Sequence, residues 1–337
     1  MNLLLLNYLS LAFWSLVFKN KLSRDRKGSF LFLIVMTIQL TFVVLCSPIF
    51  SDAIVYGQHA AWNWYSGFEP GYVLFSKLVW GLWASPKALM LFTGLIFQIS
   101  FAYFCWQYSD NYALSYFLMI CLGFFGMSLF ILRQTIALAI SMFTFKYVKE
   151  ERPVAFLFSI LLACSFHKTA ILLIVLYPVT KFNRGALFHL GSICLSLLLL
   201  ILGPYLASIV ISVHTNPYEL TELSGVSLLV LMVGILIFND LGESEDVADI
   251  SGYSLELASI FQVLALRFSD FTRATRYFFI SATISIPAAI CRTNNPNLKL
   301  LLSCFVILFG FVFNTVIDDW GVSGFVRLFE FVSAGRF

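Results

Sequence analysis

Apolar residues run along this chain in long stretches, parted by short polar or charged turns and free of the alternation a strand would need. Lipid offers a backbone no hydrogen-bond partner, so such runs read as helices, and the fold expected is all-α. The runs fall at residues 3–18, 29–47, 88–108, 112–130, 133–148, 153–166, 169–179, 187–202, 226–238, 257–266, 278–290 and 300–316. They amount to about 11–12 transmembrane helices in one polytopic membrane domain, residues 1–337. A further run, 73–83, is too short to cross and reads as a half-helix or re-entrant piece.

The polar stretches set an orientation. Lys19, Lys21, Arg24, Arg26 and Lys27 against Asp25 mark a cytoplasmic loop, which puts the N-terminus outside and keeps the first run as a span. Residues 48–72 then form an outer loop, too polar to span and rich in Trp and Tyr, with Asp52, His59 and Glu69. Residues 131–173 read as a central helical hairpin: legs 133–148 and 153–166, and a charged turn 149–152 followed by Pro153 at a first helical position. The legs are roughly 24 and 21 Å long, so Arg133 and His167 reach one depth at the outer face. Residues 181–184 give a second basic inner turn, and 203–225 an outer loop with His214, Glu219 and Glu222. Residues 239–256 read as an acidic loop, with Asp240, Glu243, Glu245, Asp246, Asp249 and Glu256. Arg267, Asp270, Arg273, Arg276 and Tyr277 gather at the outer end of the next return.

Composition narrows the class. Of 337 residues, 60% are hydrophobic and 12% charged, and the net charge of +3 is spread over many turns, so it serves orientation and not nucleic-acid binding. Seven cysteines lie in or beside apolar runs with no CxxC pair, and read as small buried hydrophobes.

Three groups are thereby expected at the outer face: Asp52 and Glu69, the pair Arg133 and His167, and the cluster from Arg267 to Arg276. Arginines at a lipid interface present planar, permanent cations that match phosphate oxygens in a bidentate way. A pyrophosphate-linked lipid is a natural ligand for them, and a His or Glu close by is a general base for an incoming hydroxyl. Each residue also has a plainer reading. Arg133 can be a snorkelling anchor, His167-Lys168 a polar helix start, and Arg267, Arg273 and Arg276 one solvated helical face. Glu69-Pro70 suits a helix entry, and Asp52 suits a cap.

Beyond single residues, the chain resembles the EpsG-type, Wzy-like polysaccharide polymerases. The likeness rests on Asp52 and Tyr56, the GFEPGY stretch from Gly67 to Tyr72, LRQTIALAI from Leu132, FHKTAI from Phe166 and RATRYF from Arg273. It implies an enzyme of the bacterial inner (cytoplasmic) membrane whose donor and acceptor are both undecaprenyl-pyrophosphate-linked oligosaccharide repeats. It needs no cofactor and no metal. Arg133, Arg273 and Arg276 would hold the donor pyrophosphate, with Tyr277 beside them as a substrate-binding residue. His167 or Glu69 would be the base, and Asp52 and Gln134 would position the acceptor. Membrane lipid, a chain-length regulator and a flippase are the expected partners, and nucleic acid is not. A flippase or transporter of the same lipid-linked repeat, and a glycan ligase of the same architecture, are the alternatives. The pair Asp318-Asp319 reads as a loop feature, and the resemblance gives Arg327 and Arg336 no role.

Overall fold

The computed structural model describes residues 10–14, 26–213, 226–241, 247–266 and 271–312. The expectations for His214, Glu219, Glu222, Arg267, Asp270, Asp318, Asp319, Arg327 and Arg336 lie outside the described residues, as does most of the first apolar run. Among the described residues all regular structure is helical. In chain order the helices are α1 (Arg26–Cys46), α2 (Ser51–Ala61), α3 (Pro70–Leu82), α4 (Pro86–Tyr108), α5 (Tyr112–Cys121) and α6 (Phe124–Phe130). The central hairpin follows as α7 (Leu132–Ser141), α8 (Thr144–Lys149), α9 (Pro153–Cys164), a 3₁₀ run (Lys168–Val175) and α10 (Leu176–Val179). After it come α11 (Ala186–Val213), α12 (Val226–Leu241), α13 (Val247–Ala265), α14 (Phe271–Phe279), α15 (Ala282–Arg292) and α16 (Pro296–Val312).

Three stretches among the described residues have the length and hydropathy to cross a bilayer alone: Gly28–Cys46, Pro86–Tyr108 and Phe271–Arg292. The expected span 112–130 is a pair, α5 and α6, bent by 53°. Gly123 makes the bend at φ 78°, a left-handed conformation that costs a side-chain-bearing residue roughly 1–2 kcal/mol. The first leg of the hairpin is likewise broken, at Met142 and Phe143. Around that break the Ser141 hydroxyl donates to the Leu138 carbonyl (2.7 Å) and the Thr144 hydroxyl to the Ser141 carbonyl (2.6 Å). These bonds add to the Met142 N–H bond on the Leu138 carbonyl (3.2 Å) and satisfy polar groups around a break buried inside the protein.

Two stretches expected as loops are largely helical. Within 48–72, Ala53, Gly57 and Ala60 fall on one buried face, and a Cβ on Gly57 would sit 2.5 Å from the Pro86 ring, so α2 packs tightly on the start of α4. Asp52 lies in the first turn of α2 and Phe50 holds the cap position, so Asp52 is not the cap. Within 239–256, α13 begins at Val247, and Glu256 is enclosed between Arg184 (3.6 Å) and His189 (3.1 Å). Ion pairing lets a carboxylate sit inside an apolar helix, which is why its charge suggested a loop.

The core is centred on α5, all of whose residues are buried, together with α7 and α15. Phe101 meets Tyr116 edge-on at 5.0 Å within it. Helices associate in lipid through such close packing, because lipid tails are as apolar as the side chains. Large residues such as Phe158, Leu187, Ile201, Leu301 and Phe305 face outward, as a lipid-facing surface requires.

The hairpin turn is closed by Glu151 at φ 54° with Pro153 opening α9 as expected. Lys181 pairs with Glu151 at 2.6 Å, so the turn and the basic stretch 181–184 share one end of the molecule.

Candidate active site

At the opposite end of α9 the chain brings five separated segments together, and the GFEPGY stretch organises them. Gly67 turns the chain at φ 81°. Glu69 occupies the N-cap position of α3 and Pro70 its first turn, as the helix-entry reading expects. Gly71 and Tyr72 donate their backbone N–H groups to the Ser165 carbonyl at 2.7 and 3.2 Å, joining the start of α3 to the end of α9. A Cβ on Gly71 would lie 2.8 Å from that carbonyl oxygen, so only glycine permits this approach.

That junction delivers Glu69 between two partners. One carboxylate oxygen accepts from Arg133 Nη1 at 2.7 Å, and the other accepts from the backbone N–H of Lys168, which opens the 3₁₀ run, at 3.2 Å. Arg133, in the first turn of α7, also donates from Nε to the Tyr56 hydroxyl at 3.2 Å. Its guanidinium lies 4.8 Å from the Phe68 ring centre and 5.7 Å from that of Tyr56. Two of its five N–H donors are thus engaged, and the plane is fixed on an aromatic bed. Tyr72, fully buried, packs against Tyr56 and Phe68 at 5.3 and 5.8 Å and supports both.

His167 stands between α9 and the 3₁₀ run, 6% exposed, with Nδ1 hydrogen-bonded to the Thr169 hydroxyl at 2.7 Å. Burial, reinforced by the charges of Arg133, Arg273 and Lys168 and opposed by Glu69, pushes its pKa down to about 4. The imidazole is therefore neutral at neutral pH. Burial pushes the Glu69 carboxyl up, but its hydrogen bonds and the Arg133 charge outweigh that and hold it below the usual value. Asp52 is raised by desolvation, against the pull of Arg273 and then Arg133. These shared influences place Arg133, Arg273, Asp52, Glu69 and His167 in one electrostatic group.

The other sequence-derived candidates fall differently. Gln134, expected to position an acceptor, has no exposed surface: its amide donates to the Arg273 carbonyl at 2.6 Å and so ties α7 to α14. Arg273 itself is exposed, while Arg276 is half-buried one turn further along α14. Tyr277 is enclosed, with its hydroxyl directed towards Thr169 and without an ordinary hydrogen bond. Sequence reasoning passed over Phe68, Tyr72, Ser165 and Thr169 as site residues, and took Tyr56 only as part of the resemblance. All but Ser165, which precedes the FHKTAI stretch, lay in the motif stretches, but aromatic and hydroxyl residues are common at interfaces, so type alone did not single them out.

Chemically, the arrangement offers fixed cationic donors, a neutral imidazole with one ring nitrogen uncommitted, and a carboxylate at the rim. A family model described as the EpsG family matches residues 30–325 of the chain. No curated protein and no solved structure matches it.

Proposed function

The chain belongs to the EpsG family of Wzy-like polysaccharide polymerases, and from that premise we propose that it joins polyprenyl-pyrophosphate-linked oligosaccharide repeats at the outer face of a bacterial cytoplasmic membrane. The observation that carries this reading is the fixed Arg133 guanidinium, with three N–H donors uncommitted, sharing one charge group with Arg273 and the neutral His167.

In the reaction proposed, a hydroxyl oxygen of the acceptor repeat attacks the anomeric carbon of the donor glycan. The bond from that carbon to the pyrophosphate oxygen breaks, and the polyprenyl pyrophosphate leaves with the electron pair. Arg133 and Arg273 bind the pyrophosphate and stabilise the charge growing on the leaving oxygen, with Arg276 as a further cation on the same helix. His167 takes the hydroxyl proton on Nε2, because Thr169 holds Nδ1. Glu69 is assigned the positioning of Arg133 instead, since its ion pair stabilises the carboxylate and weakens it as a base. Asp52 remains the residue suited to orient the acceptor hydroxyl.

Donor binding also tunes the base. Burial first, and then Arg133 and Arg273, depress His167, and a pyrophosphate neutralising the two arginines relieves their share of the shift and raises its pKa.

The test is the glycan profile of a strain lacking this gene, complemented with wild type, Arg133→Ala or His167→Ala at matched expression. Loss of long polymer, with single lipid-linked repeats still reaching the outer face, is the expected result for both variants. Repeats held at the inner face would instead make the protein a flippase and remove the catalytic assignment.

A further inference from the structure

The turn that joins α2 to α3 sets two large aromatic rings in the open. Trp62 is 70% exposed and Trp64 58% exposed. Between them Asn63 adopts φ 52°, a left-handed conformation that asparagine accepts better than most residues. The turn is pinned: Trp62 N–H donates to Gln58 O (3.0 Å), Asn63 N–H to Ala60 O (3.3 Å) and Trp64 N–H to His59 O (2.9 Å). The His59 ring closes it through Nδ1, 3.0 Å from Trp64 O. The backbone that carries the two indoles is therefore fixed, and the Trp64 ring packs on His59 at 5.1 Å, although exposing the rings forfeits about 25 cal/mol per Å².

One of the exposed rings, Trp64, connects to the candidate active site, and Trp62 lies two residues away on the same turn. Trp64 lies 5.1 Å from His59 between ring centres, His59 lies 5.0 Å from Phe68, and Phe68 carries the Arg133 guanidinium at 4.8 Å. A few sugar rings laid end to end cover that path.

We propose that Trp62 and Trp64 form a glycan platform, on which pyranose rings of the lipid-linked repeat stack as its reacting end enters the site at Arg133. This rests on the polymerase reading above and adds to it the subsite that holds the oligosaccharide. One face of a pyranose is a set of C–H groups whose positive edges meet the negative face of an indole. The indole N–H groups, the Asn63 amide and the exposed Gln58 at the end of α2 offer hydrogen bonds to the hydroxyl rim. A flat aromatic surface tolerates sliding, which suits an enzyme that must bind the same repeat at each addition.

The experiment uses the full chain in lipid nanodiscs, comparing wild type, the double variant Trp62→Ala/Trp64→Ala, and Trp64→Phe. Two probes are needed: lipid-linked repeats extracted from the strain lacking this gene, and lipid-free oligosaccharide cut from the mature polymer. The double variant is expected to raise KM for the lipid-linked repeat by about tenfold, with kcat held within about twofold, and Trp64→Phe, which keeps an aromatic face at that position, to stay within about threefold of wild type. The lipid-free oligosaccharide is expected to change tryptophan fluorescence in wild type and not in the double variant.

An unchanged KM and unchanged oligosaccharide binding in the double variant would overturn the platform. Quenching of these two indoles by brominated lipid would then identify a membrane anchor instead. Oligosaccharide binding that depends on Trp62 and Trp64, in a wild type that makes no polymer, would leave the platform standing and reject the polymerase reading alone.

Discussion

At Arg133 the aromatic bed of Phe68 and Tyr56 and the acceptors on Glu69 and Tyr56 fix a plane as well as a charge. Arg133→Lys keeps the charge and loses the plane, so kcat/KM should fall by about a hundredfold, the cost of one preorganised donor, in a nanodisc polymerisation assay. Retention of full activity would reject bidentate phosphate binding there. His167 gives a second prediction at this scale, with its sign set by its role. A base works only unprotonated, so activity is lost as the pH falls through its pKa. In the free protein that value is about 4, held down first by burial, and on the proposed mechanism a pyrophosphate bound at Arg133 and Arg273 raises it. The acid limb of kcat should therefore lie at higher pH than that of kcat/KM, and His167→Asn should abolish the difference along with most of the rate. The residues to which this chemistry is assigned stood out in the sequence, because Arg, His and Glu announce themselves by type. The roles of Tyr72 and Gln134 were not, since both are buried and their partners lie on distant segments.

At the level of the element, the junction of α3 with α9 depends on one missing methyl group. Gly71→Ala would place a Cβ 2.8 Å from the Ser165 carbonyl oxygen, and backbone rather than a flexible side-chain end must yield. The strain should cost about 1–3 kcal/mol, lowering Tm, and should reduce activity further by shifting Glu69 away from Arg133 and Lys168. A Gly71→Ala protein with unchanged Tm and rate would show that the junction is not tight. Helix boundaries were harder to read than helix presence. The break after Ser141 and the bend at Gly123 interrupt runs that hydropathy treats as continuous, because side-chain hydroxyls and one glycine conformation do not change an average. The α2 helix escaped for the converse reason, its buried face being made of small residues that carry little hydropathy.

For the whole molecule, the decisive question is which end faces which side. The Lys181 and Glu151 pair puts two stretches expected inside at one end, and the cluster of Arg133, His167 and Glu69 lies at the other. In a variant without native cysteines, Ser66→Cys should react with a membrane-impermeant maleimide from outside intact cells, and Asn183→Cys only after permeabilisation. The reverse pattern would invert the topology and end the outer-face mechanism. The sequence by itself determined the helical membrane character, the basic turns and the order of the motif stretches. These follow from hydropathy and charge, which act locally and need no partner. Only the tertiary structure decided that Asp52, Glu69, Arg133, His167 and Arg273 form one group, that Gln134 braces α14, and that Glu256 is buried on Arg184 and His189. Those outcomes depend on which helix faces meet, and contacts between residues 64 or 139 positions apart are set by packing that no local pattern specifies.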